Sequence, residues 1–149
     1  MRALFRLVWR LVVAVVLANA AAFAAVNVAK RSMRLRDDPA SNEFDLVSVN
    51  DGVAFSSSSP ALRFGSAFTG YGSTYIDLRD AELDAEGTDL RLTTWFGNTA
   101  VVLPEDADPS LHTVEVMGRR RMLGSGQPGD RPVRIHALTV AGELTVSHG

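Results

Sequence analysis

The sequence contains no cysteine, and this absence removes two kinds of site from consideration. No disulfide can crosslink the fold, and no thiolate can hold a metal ion. The three histidines, His112, His136 and His148, fall in separate parts of the sequence with no carboxylate at ligand spacing. A metal site needs three or four converging ligands, so we predict neither a metal nor any other cofactor.

An excess of charge of one sign is also missing, because 15 basic and 17 acidic residues leave a net charge of −2. A chain without a basic field is not expected to bind nucleic acid. Motifs for catalysis are absent as well. No serine lies in a Gly-x-Ser-x-Gly setting, and Gly70-Tyr71-Gly72 lacks the lysine and the helix of a phosphate loop. We therefore predict that the protein is not an enzyme.

No useful helical period occurs after residue 43, and short alternating segments take its place. In Tyr75-Ile76-Asp77-Leu78-Arg79, apolar and polar residues alternate, as on a half-buried strand. Asp77 and Arg79 share the polar face, so a surface ion pair is expected there. Strands of four to six residues at intervals near ten predict an all-β domain.

Glycine turns recur among these strands at intervals of 20, 25, 21 and 24 residues. The glycines are Gly52, Gly72, Gly97, Gly118 and Gly142. One such unit cannot bury its apolar face alone, so successive units should stack. We predict a β-solenoid or rolled β-helix-like domain, with a two-sheet β-sandwich as the alternative, and glycines at corners that need positive φ or close backbone approach.

The first thirty residues have a different composition. Leu11 to Ala29 runs for 19 residues without a charge, which as a helix is roughly 28 Å long, against a hydrocarbon core of about 30 Å. The segment predicts one membrane helix that contacts lipid. A basic start and small-residue sites also fit a cleaved signal peptide, which would make the protein secreted.

The orientation of this helix is poorly specified, since arginines precede it and Lys30, Arg31, Arg34 and Arg36 follow it. An extracytoplasmic β-domain is slightly favoured over a cytoplasmic one. The basic residues Lys30, Arg31 and Arg34 are candidate contacts for anionic lipid. Residues 1–30 are thus predicted as the anchor or signal peptide, 31–43 as a polar linker and 44–149 as the β-domain.

Arg119-Arg120-Arg121 is the sharpest charge feature of the β-domain. It follows a strand at a predicted turn and is a candidate contact for anionic lipid, an anionic polymer or an acidic partner. The alternative is a solvated corner that protects a sheet edge. Trp95 and Phe96 are predicted to lie in the core, whereas an exposed aromatic residue at a turn would indicate a partner contact.

The order of these segments resembles the C-terminal domain of LiaF-like bacterial proteins, also called cell-wall-active antibiotic response proteins. The segments that carry the resemblance are Phe44-Asp45-Leu46-Val47, Gly52-Val53, Phe68 to Ala81, Trp95 to Pro104, Val114 to Gly118 and Val140 to Val146. Single glycines replace the paired glycines of that family, and one candidate span replaces several.

The resemblance implies a membrane-tethered, non-enzymatic β-domain in bacterial envelope-stress signalling, typically one that restrains a sensor kinase. The sequence therefore predicts a regulator in the bacterial cell membrane that acts by protein interaction. The alternative is a structural protein whose β-domain forms homo-oligomers, as a filament or a surface layer.

Overall fold

Ten β-strands follow one another between Glu43 and His148 in the structure, a computed structural model that describes Val13 and residues 36–124 and 129–149. They are β1 Glu43–Ser48, β2 Gly52–Ser56, β3 Phe64–Thr69, β4 Ser73–Asp77, β5 Thr88–Thr94, β6 Asn98–Leu103, β7 Ala107–Glu115, β8 Arg119–Leu123, β9 Arg131–Thr139 and β10 Glu143–His148. The strands belong to a compact unit that runs from Leu35 to Gly149.

The strands form two five-stranded parallel sheets, and consecutive strands lie in opposite sheets. We call each pair of consecutive strands, with the corner between them, a coil, so that coil 1 is β1–β2 and coil 5 is β9–β10. This winding confirms the predicted all-β solenoid. Parallel pairing within each sheet excludes the sandwich alternative, whose consecutive strands would pair antiparallel.

Because successive side chains of a strand point to opposite faces of the sheet, one set from each strand lies in the space between the two sheets. Phe44, Leu90 and Ile135 of the first sheet and Ile76 and Val101 of the second are almost completely buried there. Outward positions in the same strands carry mainly polar residues. The predicted apolar and polar faces of the Ile76 strand are thereby confirmed.

The corner glycines lie above one another along the stack. The backbone N–H of Asn98 donates to the carbonyl oxygen of Gly72, and that of Glu143 donates to Gly97, both at 3.0 Å. A Cβ atom added to Gly72, Gly97 or Gly142 would collide with the backbone of the coil beneath it. Close backbone approach, rather than positive φ, is therefore what these corners require.

Gly52 does not belong to this column, although the sequence predicted that it did. The register aligns Gly52 with Ser73, so Asp51 is the coil 1 residue in line with Gly72. Among the described residues no coil lies beneath the coil 1 corner, so the residue at position 51 does not need to be a glycine.

The coils do not stack in sequence order. Coils 1, 2 and 3 follow one another, but coil 5 lies between coil 3 and coil 4. The inward residues explain this order. Coil 5 contributes Val133, Ile135 and Leu144, all at most 1% exposed, whereas coil 4 contributes Glu115 and Arg120 at inward register positions. The more polar coil therefore closes the stack, as terminal repeats of solenoids do.

Buried hydroxyls line the inside of the corner column. The Oγ1 atom of Thr99 lies 2.7 Å from that of Thr94 and 2.9 Å from that of Thr69. Thr69 and Thr74 form a third contact at 2.7 Å. Each hydroxyl thus has a partner within the core, which removes the cost of burying it unpaired.

The predicted membrane helix, at residues 1–30, lies outside the described residues except for Val13. Across the part of the chain that the structure describes, no helix is both long and apolar enough to cross a bilayer. Lys30, Arg31 and Arg34 also lie outside the described residues.

Candidate functional site

Two aromatic rings project from the glycine corners of coils 2 and 3. Tyr71 and Phe96 immediately precede Gly72 and Gly97, and their rings stack with centroids 5.1 Å apart and planes 7° apart. They remain 54% and 48% exposed. The chain leaves each strand before the corner, so these residues no longer follow the strand alternation and point outward.

Trp95 enlarges the aromatic surface beside this stack. Its ring meets the ring of Phe68 edge to face at 5.8 Å, and 43% of the residue stays exposed. The sequence prediction that Trp95 and Phe96 lie in the core was therefore wrong. Both residues occupy the corner itself, whereas the core is filled from within the strands, by Leu90 and Leu92 in the preceding strand.

The apolar surface continues to the end of the stack. Val116 and Met117 occupy the coil 4 corner and are 64% and 74% exposed. The backbone N–H of Met117 donates to Val140 in coil 5, just as Ala141 donates to Trp95 in coil 3. We call this line of exposed corner residues the corner ridge, and its members are Phe68, Tyr71, Trp95, Phe96, Val116 and Met117; the half-buried Val140 and Ala141 of coil 5 lie between Phe96 and Met117.

Arg119, Arg120 and Arg121 form the first part of β8 and not a turn, so the predicted turn position was wrong. Arg120 lies 3.6 Å from Glu115 and donates to the Thr113 hydroxyl at 3.0 Å. Arg121 lies 3.1 Å from Glu143. Within residues 36–124 and 129–149, Arg119 has no ion pair. β8 is one of the two edge strands of its sheet. Its three arginines therefore agree with the prediction that these charges protect a sheet edge.

His112 and His136 lie side by side on β7 and β9, with ring centroids 5.3 Å apart. They lie far apart in the sequence, and the position of coil 5 beside coil 4 brings them together. His148 ends β10 in the other sheet. No group of three histidine or carboxylate residues that could hold a metal occurs in the described part of the chain.

Carboxylates on the outer surfaces are held by arginines. Arg79 lies 2.6 Å from Asp77, which confirms the predicted ion pair, and Arg134 lies 2.7 Å from Asp89. Hydrogen bonds from these guanidinium groups are the main cause that lowers the pKa of each aspartate below its ordinary value of 3.8. A carboxyl group with a lowered pKa is ionised at neutral pH and has no proton to donate as a general acid.

Comparison with known proteins gives relatives over part of the chain. It is 31% identical over 81 residues to uncharacterized protein Rv0966c of Mycobacterium tuberculosis strain H37Rv, and equally to uncharacterized protein MT0994 of strain CDC 1551. The match covers 53% of this chain and 40% of each relative, so the chain spans less than half of their length. No family model and no solved structure matches the chain. The LiaF-like resemblance therefore stays a prediction.

Strand alternation does not predict the corner ridge, because most of its residues lie between strands. A signal for it is nevertheless present. The residue before each of the last four corner glycines is apolar: Tyr71, Phe96, Met117 and Ala141. Once the corners are known to stack, such residues must form one line along the outside of the solenoid.

Proposed function

We propose that the protein is a non-enzymatic binding module of the bacterial cell membrane, in which the β-solenoid contacts a membrane protein partner through the corner ridge. The observation that carries the proposal is the exposure of Tyr71, Trp95, Phe96 and Met117 on corners that stack in one column. Single exposed apolar residues are ordinary on a protein surface, but a contiguous patch indicates an interaction site.

The composition of the ridge supports a protein partner. Tryptophan, tyrosine, phenylalanine and methionine are the residue types enriched at protein interfaces. Large aromatic residues also supply most of the binding energy at such interfaces. The ring contacts between Tyr71 and Phe96 and between Phe68 and Trp95 hold the side chains in place before binding, which reduces the entropy lost on association.

The membrane location rests on the uncharged run from Leu11 to Ala29. A tether of this kind would raise the effective concentration of the solenoid for a partner in the same membrane. The role in the envelope-stress response rests on the resemblance to LiaF-like proteins. A sensor kinase is the kind of partner that this resemblance implies.

Self-assembly into a filament is the alternative. One end of the solenoid favours such assembly, and the other end disfavours it. At the coil 4 end the edges of β7 and β8 are unpaired among the described residues, which favours addition of another strand. At the coil 1 end the carbonyl oxygen of Arg36 accepts from the N–H of Asp45 at 2.9 Å and covers part of the β1 edge.

Asp51 adds a second obstacle to a filament. Every later residue in its column is a glycine whose Cβ would collide with its neighbours. If coil 4 of one copy stacked beneath coil 1 of another in the same geometry, the Cβ atom of Asp51 would collide with the carbonyl oxygen of Gly118. These two features favour the binding module over head-to-tail assembly.

Photocrosslinking tests the proposed function. The photoreactive residue benzoylphenylalanine is placed at position 96 in the full-length chain, expressed in bacterial membranes, and adducts are identified by mass spectrometry. Ser56, exposed at the far end of β2, gives the matched control position.

We expect an adduct with one integral membrane protein from position 96 and none from position 56. That adduct should disappear when Trp95→Ser is added. Equal labelling at both positions, or adducts at position 96 only with soluble proteins or with other copies of this chain, would refute the proposal. Sedimentation of the chain with membranes after alkaline extraction checks the tether.

A further inference from the structure

The corner ridge contains a gap one coil wide. The residues that precede the corner glycines form a column in the order Tyr71, Phe96, Ala141 and Met117 along the stack. Three of the four are large, and Ala141 is the small one. Phe96 stacks on Tyr71 with one ring face, and coil 5, which carries Ala141, lies on the other side of the Phe96 coil.

The width of this gap fits one flat side chain. Neighbouring strands are about 4.8 Å apart, so the coils of Phe96 and Met117 are separated by roughly 9.6 Å. The Tyr71 and Phe96 rings occupy adjacent coils at a centroid separation of 5.1 Å. A third ring at the Ala141 level would therefore continue the same stack, with the thioether of Met117 on its far side, a contact that is favourable for sulfur and an aromatic ring.

The charged residues near the gap determine which charge would be favourable next to a side chain that enters it. Arg119 lies two residues after Met117, is exposed, and has no ion pair within residues 36–124 and 129–149. The same strand carries Arg120 and Arg121, whose carboxylate partners are Glu115 and Glu143. Arg119 is aligned with Glu143 in the neighbouring strand, but Glu143 pairs with Arg121, so these three arginines and two glutamates carry one net positive charge.

The chain's own N-terminal segment lacks the complementary charge. It contains Phe5, Trp9 and Phe23, but residues 1–34 carry arginine and lysine and no acidic residue. Residues 1–34 therefore supply no carboxylate that could pair with Arg119.

We propose that the gap over Ala141, between Phe96 and Met117, receives an aromatic side chain of the partner, and that an acidic residue next to it in the partner pairs with Arg119. The inference rests on the proposed function, because it names the contact by which the corner ridge recognises its partner. It assigns specificity to Ala141, the one small residue of the column.

The proposal is tested by methyl NMR on the full-length chain in detergent micelles, labelled at alanine and methionine methyl groups. The probe is an acetylated and amidated tripeptide, Asp-Trp-Asp. Matched probes are Asp-Leu-Asp, Lys-Trp-Lys and an N-acetylglucosamine oligomer. Ala141→Ser assigns the Ala141 methyl signal, and the exposed methyl group of Ala54 on β2 reports non-specific effects.

We expect Asp-Trp-Asp to shift the Ala141 and Met117 methyl signals saturably and upfield, because an aromatic ring would lie over both, and to leave Ala54 unchanged. Lys-Trp-Lys and Arg119→Met should each weaken the interaction. Ala141→Leu fills the gap and should reduce affinity by about tenfold or more. Ala141→Tyr, which supplies the ring within the chain, should abolish the shift of Met117 by the peptide.

Four results would overturn the proposal: no saturable shift with Asp-Trp-Asp, an equal shift with Asp-Leu-Asp, unchanged affinity in Ala141→Leu, or a saturable shift with the sugar alone. Equal thermal midpoints of Ala141→Leu and the natural chain exclude loss of folding as the cause of a loss of binding. If the peptide fails while the position 96 adduct still forms, this inference is wrong and the proposed function stands. Loss of the adduct overturns the function itself.

Discussion

At the scale of single residues, the corner glycines set how closely the coils can stack. Each of Gly72, Gly97 and Gly142 has the backbone of a neighbouring coil where a side chain would begin. The carbonyl oxygen in that position also accepts a hydrogen bond from the residue that follows the glycine. The Gly72 carbonyl, for example, lies against Gly97 and accepts from the N–H of Asn98. Loss of a glycine therefore disturbs both the packing and the hydrogen bonds of two coils.

Substitution of Gly97 tests this dependence. We expect Gly97→Ala to lower the free energy of unfolding by about 1–3 kcal/mol, the usual cost of forcing extra volume into a packed site. Urea denaturation monitored by circular dichroism gives the value.

Gly52→Ala is the matched control for this substitution. Its Cβ would lie 3.4 Å from the Ser73 hydroxyl, an ordinary contact. The unfolding free energy should stay the same or rise by about 0.4–1 kcal/mol, because alanine restricts the unfolded chain. Equal destabilisation by both substitutions would contradict the column described here.

The sequence predicted most of these residues, and its errors have physical causes. Gly72, Gly97, Gly118 and Gly142 were identified from their spacing, because a recurring corner needs a recurring glycine. Gly52 was misassigned because only coordinates show which residue of coil 1 is in register. The corner ridge was missed because alternation describes strands and not the residues between them.

At the scale of the strands, arginine–aspartate pairs lie on the outside of the solenoid. Arg134 on β9 pairs with Asp89 on β5, which lies next to it in the sheet. Arg79 pairs with Asp77 at the end of β4. Each guanidinium lowers the pKa of its partner below 3.8. The folded state therefore binds fewer protons at these sites than the unfolded chain does in acid.

These pairs give the stability a pH dependence with a definite sign. A carboxyl whose pKa is lower in the folded state contributes its full stabilisation above the ordinary value of 3.8 and loses it as the pH falls through the lowered pKa. We expect the free energy of unfolding to fall as the pH is reduced below about 4.

The double variant Arg79→Met/Arg134→Met should reduce this dependence. The variant should be less stable than the natural chain, and the difference between their free energies of unfolding should be largest near neutral pH and smaller in acid. Urea denaturation at a series of pH values measures this difference. Arg119→Met, which removes an arginine without an ion pair among the described residues, is the control. A deficit that stays constant with pH would show that the pairs do not cause the acid sensitivity.

At the scale of the whole molecule, the order of the coils is the feature that the sequence did not predict. Consecutive elements are usually neighbours in space, so units were expected to stack in succession. This expectation holds for coils 1 to 3 and was wrong for coils 4 and 5. A signal was available in Glu115 and Arg120, because charged residues at inward positions would be costly to bury and are best accommodated at the end of the stack.

The absence of cysteine allows a direct test of the coil order. The register aligns Ala100 of β6 with Thr145 of β10, and Thr145 with Arg121 of β8. The Cα atoms of Ala100 and Thr145 should be about 4.8 Å apart, within the range that a disulfide spans. Ala100 and Arg121 are two strands apart, roughly 9.6 Å, which is too far for a disulfide to close.

Two double-cysteine variants separate the two possible orders. After mild oxidation, Ala100→Cys/Thr145→Cys should lose its free thiols and run faster on non-reducing gels, while Ala100→Cys/Arg121→Cys should keep both thiols. If the coils stacked in sequence order, β8 would lie beside β6 and only the second variant would oxidise. Because coil 4 carries Met117 and Arg119, the same result decides whether Ala141 separates Met117 from Phe96 or lies beyond both.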